Sequence, residues 1–452
     1  MNRLSTTIFL SLAAYVCAGA VTVNINEAGT LGTLVDNPAT VTELKLTGQA
    51  DATDFNFIAT SMPALTALNL ADVTIVASEG TKINGVSHFA ANLIPEGAFA
   101  GTALEEVILP TTPGLNIGDM AFEGTALTSL TLPDNVNTAG TGAFAGCQNL
   151  RSITLNEKTA LGSHLFSNCQ TLAAAYLGST ATLPASAFDG CAALETVEGA
   201  EALMAIEANA FSGCRKLTDF EFGEKLTAIG AEAFANTGLT TADLGMCRQL
   251  TTIGDYAFID CREITTVNLG PAITTLGTGC FLGCENLASI TLPAACETVG
   301  DYAMARCLAL SEVEASDLAG VPQTGRDVWR GVDQPNAKLN VSDDTFHDFA
   351  AAPQWQEFEI TSPTYTNAVD LPVADTTRRL EAHFNGNTLT VVSCLNRRVS
   401  LYDLNGRCLA STATDGAECR LTFDTEGRDG NIFIVVADGL DGVREALKII
   451  RK

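Results

Sequence analysis

FAGCQNLRSITL, from Phe144 to Leu155, joins the end of one segment to the start of the next, and near copies of its opening recur along the chain. FDGCAALETV begins at Phe188, FSGCRKLTDF at Phe211, FIDCREITTV at Phe258 and FLGCENLASI at Phe281. Aligned on the phenylalanine, the series runs Phe99, Phe122, Phe144, Phe166, Phe188, Phe211, Phe234, Phe258 and Phe281, with Met304 in the same place, at steps of 22 to 24 residues. A period of this size marks a solenoid, in which no turn buries its apolar face alone and each covers its neighbours. The spacing therefore predicts a repeat solenoid with a parallel β-sheet on one face.

Each unit has a strand-like half. In Leu150 to Leu155, Ile153 and Leu155 point inward while Ser152 and Thr154 point out. Glycine or proline then stops the strand in most turns, at Pro110, Pro133, Gly178, Gly223, Gly245, Gly270 and Pro293. A return half follows and ends in the pattern I-G-x-x-A-F, seen at Ile229-Gly230 before Phe234 and at Ile253-Gly254 before Phe258. Two earlier strands are expected around Leu44 and at Leu65 to Leu70, and a late one near Leu339. The recurring phenylalanine reads as a core spine, since burying such a ring is worth about 1.5–3 kcal/mol.

Cys147, Cys169, Cys191, Cys214, Cys261, Cys284 and Cys307 each follow the spine position by three residues, and Thr102, Thr125 and Thr237 stand where the cysteine is missing. A metal site needs clustered ligands such as paired C-x-x-C with histidine nearby, whereas these come one per turn in a chain with four histidines. Disulfides between turns are conceivable by distance, because equivalent Cα atoms would lie about 5 Å apart. Interchange with threonine instead favours small buried thiols filling a corner. Loss of Cys17 with a leader would leave 13 cysteines, an odd number, so at least one thiol would stay outside intramolecular bridges.

Charged residues are 17% of the 452-residue chain and apolar residues 46%, which excludes a disordered polymer. Residues 1–20 hold Arg3, an apolar run from Ile8 to Val16 and an A-x-A pattern at Ala18 and Ala20, the features of a signal peptide. That run is too short to span a bilayer, and no later stretch approaches about 18 uninterrupted apolar residues. Residues 21–370 hold 13 Lys and Arg against 41 Asp and Glu, while residues 371–452 hold 11 of each. So acidic a body disfavours nucleic acid and anionic membranes, both of which need basic clusters.

With these residues in view, the units resemble BspA-type leucine-rich repeats of bacterial cell-surface proteins. The resemblance rests on the string A-F-x-G-C-x-x-L-x-x-I-x-L, complete from Ala143 to Leu155, and on FLGCENLASITLP from Phe281 to Pro293. It extends to a closing segment, AKLNVSDDTFHDFAAAPQWQEFEI from Ala337 to Ile360, which implies a final strand and a short helix over the last turn. Departures are Met304 for Phe, Leu165 and Cys280 for Ala, and the missing I-x-L-P ending between Glu195 and Ala210. Residues 380–452 are similar to the C-terminal sorting domain of type IX secretion, on VSLYDLNGRCL (Val399 to Leu409) and the closing NIFIVVADGLDGVREALKIIRK. There, alternating apolar positions flank Asn405-Gly406, a two-residue hairpin signal, and a small antiparallel β-sandwich is expected. A plain sandwich that binds a ligand is the other reading of the same strands.

The expected organisation is a signal peptide at 1–20, an N-terminal cap with first repeats at 21–90, the leucine-rich-repeat-like solenoid with its C-terminal cap at 91–360, a linker at 361–379 and the β-sandwich at 380–452. His88, His164, His347 and His383 occupy unrelated contexts, and neither a G-x-S-x-G elbow nor a phosphate-binding loop occurs. No enzyme, cofactor or metal is implied. Function then belongs to the displayed surface, where outward strand positions line up from turn to turn. Tyr176, Glu198, Asp219, Glu221, Asp243 and Asn268 are the candidate ligand-binding residues, an acidic group flanked by Ser and Thr. A solvated face that keeps the chain soluble is the competing reading of the same carboxylates. The resemblance implies an adhesin-like protein at the outer-membrane surface or outside the cell, with a host or matrix protein as partner and the export machinery engaging residues 380–452. A glycan-binding surface protein and a structural spacer are the alternatives.

Overall fold

Twice in every turn the backbone passes through the left-handed region, two residues before the spine position and two after it. Before the spine stand residues as different as Gly142 (φ 60°), His164 (56°), Glu232 (56°) and Tyr256 (56°), and after it mostly Gly, Asn or Asp, as at Gly146 (67°), Asn168 (59°) and Asp260 (53°). Left-handed residues reverse the chain within few residues, which is how a unit of about two dozen residues can close on itself. The computed structural model describes residues 19–83, 85–363 and seven strands between 380 and 450. The chain divides into two compact units, residues 1–180 with 187–194, and residues 181–186 with 195–452.

In the first unit, the rings of Phe99, Phe122, Phe144, Phe166 and Phe188 are stacked with centroids 5.3–5.8 Å apart. In the second, Phe211, Phe234, Phe258 and Phe281 repeat the stack at 5.3 Å. Within each unit a spine N–H donates to the carbonyl just before the next spine residue, as from Phe122 to Ala143 (2.8 Å) and from Phe234 to Ala257 (2.8 Å). The expected apolar seam is therefore real within each unit, and the architecture is a parallel β-solenoid. Trp329 continues it: the N–H of Met304 donates to Val328 (3.1 Å), and Asp327 and Gly331 are left-handed on either side. The sequence reading stopped one turn short because tryptophan replaces phenylalanine there.

The first unit opens with parallel strands Ala20–Ile25, Glu43–Ala50, Ala67–Ile75 and Glu106–Ile108, which include the two expected early ones. Helix Ala52–Ser61 packs Phe55 against Phe99 (5.7 Å). An antiparallel pair, Ser78–Ile83 with Val86–Phe89, was not anticipated. Strands Ser129–Thr131, Ser152–Thr154 and Ala174–Tyr176 then pair in parallel. In the second unit the corresponding ladder runs through Thr241–Asp243, Thr266–Asn268, Ser289–Thr291, Glu312–Glu314, Lys338–Asn340 and Glu359–Thr361. Helix Phe346–Ala351 lies between the last two strands, as the closing segment implied.

The structure adds one element to the expected unit and removes one expected strand. The return half is itself a strand: Ala205–Ile206, Ala228–Ile229, Thr252–Ile253, Thr275–Leu276 and Thr298–Val299 form a second parallel ladder. The glycine that follows is required by this stacking, since a Cβ on Gly230 would lie 2.6 Å from the backbone of Ala208 and one on Gly254 2.6 Å from Gly230. Conversely, Asp219 to Glu221 form no strand. Phe220 and Phe222, each 7% exposed, occupy the inward positions where other turns hold Ile, Val, Leu or Ala. Their rings pack on Phe211, Phe234 and Phe258 at 5.0–6.3 Å instead. Side chains that wide hold the backbone off the ladder.

The C-terminal strands form two antiparallel sheets, Leu380–Asn385, Thr388–Ser393 and Cys419–Asp424 in one, and Arg397–Asp403, Cys408–Ala413, Ile432–Gly439 and Arg444–Ile450 in the other. Asn405-Gly406, residues 1–18 of the expected signal peptide and residues 364–379 of the expected linker lie outside the described residues. Among the described residues, no helix is long and apolar enough to cross a membrane.

Candidate functional site

Alternation decides what each strand shows. In the second unit Ala242, Val267, Ile290, Val313, Leu339 and Ile360 are buried, so the residues on either side of them face outward. Register then aligns two outer rows. One is Thr241, Thr266, Ser289, Glu312, Lys338 and Glu359; the other is Asp243, Asn268, Thr291, Glu314, Asn340 and Thr361. Neighbours in a row stand about 4.8 Å apart, close enough for short side chains to bond. Asn268 Nδ2 donates to Asp243 Oδ1 (2.8 Å), which also accepts the N–H of Gly245 (3.1 Å). Asn340 Nδ2 donates to Glu312 Oε1 (2.8 Å), and Thr361 Oγ1 to Asn340 Oδ1 (2.6 Å). The rows are ordered polar arrays.

The structure thus brings Asp243 and Asn268 together. Glu198 is exposed at the end of strand Thr196–Glu198. Asp219 and Glu221 are exposed on the segment that Phe220 and Phe222 keep off the ladder. Tyr176, 41% exposed, belongs to the first unit and pairs in register with Thr154. Among the described residues, no group of three or more His, Cys, Asp or Glu side chains could hold a metal ion.

The ladder cysteines point the other way, into the wall. Cys169 Sγ donates to the carbonyl of Phe144 (3.2 Å), Cys191 to Phe166 (3.1 Å), Cys261 to Phe234 (2.9 Å) and Cys307 to Phe281 (3.3 Å), each in the preceding turn. Thr125 and Thr102 donate instead to the spine carbonyl of their own turn, at 2.9 and 2.7 Å. Both residue types offer one small donor to a buried carbonyl, which explains their exchange. Burial pushes the Cys191 and Cys307 thiols up to about 12 and Cys261 to about 11. Burial thus keeps these three thiols protonated at neutral pH.

One corner of the second unit went unnoticed in the sequence. Tyr256 and Tyr302, both half-buried, occupy the left-handed position before the spine, with Gly279 on the turn between them. A Cβ on Gly279 would lie 2.5 Å from Tyr256 Cε1, so the ring fills the space that a side chain there would take. The Arg326 guanidinium sits 5.2 Å from the centre of the Tyr302 ring and 3.5 Å from Asp301 Oδ2. Asp255 Oδ1 accepts the N–H of Thr278 (2.7 Å), and Asp301 Oδ1 that of Arg326 (2.8 Å). The signal was the twice-used Asp-Tyr-Ala before the spine, at Asp255 and at Asp301.

Comparison with known proteins follows the repeats. A family model described as "BspA type Leucine rich repeat region" matches in six copies, over residues 92–214 and 181–311. No curated protein matches this chain. Among solved structures, a leucine-rich repeat protein from Bacteroides ovatus is 20% identical, with 72% of this chain and 85% of that one covered at a TM-score of 0.42. A leucine rich cell surface protein from Faecalibacterium prausnitzii is 19% identical, with 47% and 82% covered at a TM-score of 0.24. The pneumococcal vaccine antigen PcpA is 13% identical, with 71% and 65% covered at a TM-score of 0.28.

Proposed function

Residues 92–311 are a BspA-type leucine-rich repeat region, and from that premise we propose that this chain is a secreted or cell-surface binding protein, adhesin-like, that holds a host or matrix protein against its outer strand rows. The observation that carries this is the alignment of six consecutive strands in the second unit, whose outward residues are polar, in register and mutually bonded. Solenoids offer extended surfaces of this kind to their partners. With 13 basic residues against 41 acidic ones in residues 21–370, the body attracts basic surfaces and repels polyanions. Asp243 and Asn268 lie on these rows; Glu198, Asp219 and Glu221, exposed elsewhere on the second unit, and Tyr176 on the first are proposed as further contacts.

The test is a binding screen of the secreted chain against extracellular-matrix proteins at two ionic strengths. Binding that weakens with salt, and falls at least tenfold in the combined variant Asp219→Asn, Glu221→Gln, Asp243→Asn, Asn268→Ala, is the expected result. A variant that binds like its parent dismisses the surface. A chain that binds none of the panel favours the structural spacer. We assign residues 380–452 the role of export address, on their resemblance to the type IX sorting domain. A chain ending at residue 363 should then stay inside a type IX-competent cell, and its undiminished appearance at the surface would overturn that assignment.

A further inference from the structure

We propose that the corner formed by Tyr256, Tyr302 and Arg326 on the second unit binds a neutral polysaccharide chain, at a site separate from the strand rows. The two tyrosines hold left-handed backbone at φ 56° and 57°, a conformation that is costly for bulky residues. Other turns use glycine at the same place, as at Gly97, Gly142 and Gly279, so the ring itself is not needed to make the bend. Gly279 leaves the intervening turn bare and lets the Tyr256 ring lie across it. Two rings thus stand two turns apart, about 10 Å by the strand spacing.

Around the rings stand groups that suit hydroxyls. Asp255 and Asp301 are fixed by backbone N–H donors, and Arg326 is held by Asp301 and by the Tyr302 ring. A sugar has an apolar C–H face and a rim of hydroxyls. The first matches an aromatic face, and the second matches carboxylate acceptors and guanidinium donors, whose hydrogen bonds are charge-assisted. The acidic body opposes an anionic chain. Protein hot spots are instead set in fully desolvated pockets, whereas these two rings are only half-buried.

The experiment is native gel electrophoresis of the full chain in gels cast with a β-glucan, a mannan, a xylan or the anionic polygalacturonate. Retardation by at least one neutral polysaccharide is expected. The pair Tyr256→Gly, Tyr302→Gly, which supplies the residue other turns already use, should raise the apparent Kd at least tenfold with mobility in plain gels unchanged. The pair Tyr256→Phe, Tyr302→Phe should stay within about threefold of the parent. Should the glycine pair melt unlike the parent, Arg326→Ala carries the comparison, with the same loss expected. No retardation by any neutral polysaccharide, retardation by polygalacturonate alone, or ring-free variants within twofold of the parent each overturn the proposal, as does a matrix protein that needs these rings while no glycan does. The combined variant Asp219→Asn, Glu221→Gln, Asp243→Asn, Asn268→Ala should keep its polysaccharide binding, so failure of one surface is distinguishable from failure of the other.

Discussion

A thiol in most turns is the most visible feature at the scale of single residues, and its chemistry is that of a buried donor. Because burial raises Cys191 and Cys307 to about 12 and Cys261 to about 11, the folded chain keeps these protons at a pH where the unfolded chain has lost them. An ordinary thiol titrates near 8.5. Between pH 9 and 11 the unfolded state therefore binds fewer protons than the folded one, and stability must fall as pH rises. The fall is about 1.4 kcal/mol per pH unit for each such thiol, and below pH 8 these groups add no slope. Denaturant titrations at pH 8, 9 and 10 under reductant should show it, with a shallower decline in Cys191→Thr; a flat profile would place the thiols in water. The left-handed positions make a second prediction. Gly146, at φ 67°, takes no β-branched residue without strain, so Gly146→Val should cost about 1–3 kcal/mol, read as a lower melting midpoint.

Single elements depend on how their orphan backbone groups are met. Helix Ala52–Ser61 starts in a capping box between Asp51 and Asp54, and Asp54 does more than cap. Its carboxylate also accepts the N–H groups of Gly29 (2.8 Å) and Leu31 (2.9 Å), tying the preceding loop to the helix. Asp54→Ala leaves three backbone N–H groups without their acceptor, those of Leu31 and Asp51 buried, and should cost about 1–3 kcal/mol for the first buried one alone. Amide exchange would report it as lost protection in residues 27–62. The segment from Leu217 to Gly223 behaves differently, since it forms no strand yet its rings pack on three spine rings of the second unit. Phe220→Ala should cost about 3–5 kcal/mol, as large as for a spine ring. A cost below about 1 kcal/mol would mean that the segment is merely draped over the spine.

At the scale of the molecule, stability is carried between nearest neighbours. Phe188 stacks on Phe166 at 5.5 Å, and Phe188→Ala should cost about 3–5 kcal/mol, with exchange protection lost first in the adjoining turns of the first unit. A thermal melt indistinguishable from the parent would contradict its place in the spine. Much of this was legible beforehand. The period, the phenylalanine stack, the thiol corner and the outward face of most strands follow from spacing alone, because inward and outward are set by local alternation. Asp243 and Asn268 were recognised as neighbours for that reason. Sequence spacing misplaced Asp219 and Glu221, since Phe220 and Phe222 satisfy an apolar pattern but are too wide for the ladder. It also passed over Tyr256, Tyr302 and Arg326. Periodicity fixes where a residue sits within its turn. What lies beside it, a ring over Gly279 or a guanidinium over Tyr302, depends on the register between turns some 23 residues apart in the chain, and only the stacked structure sets that register.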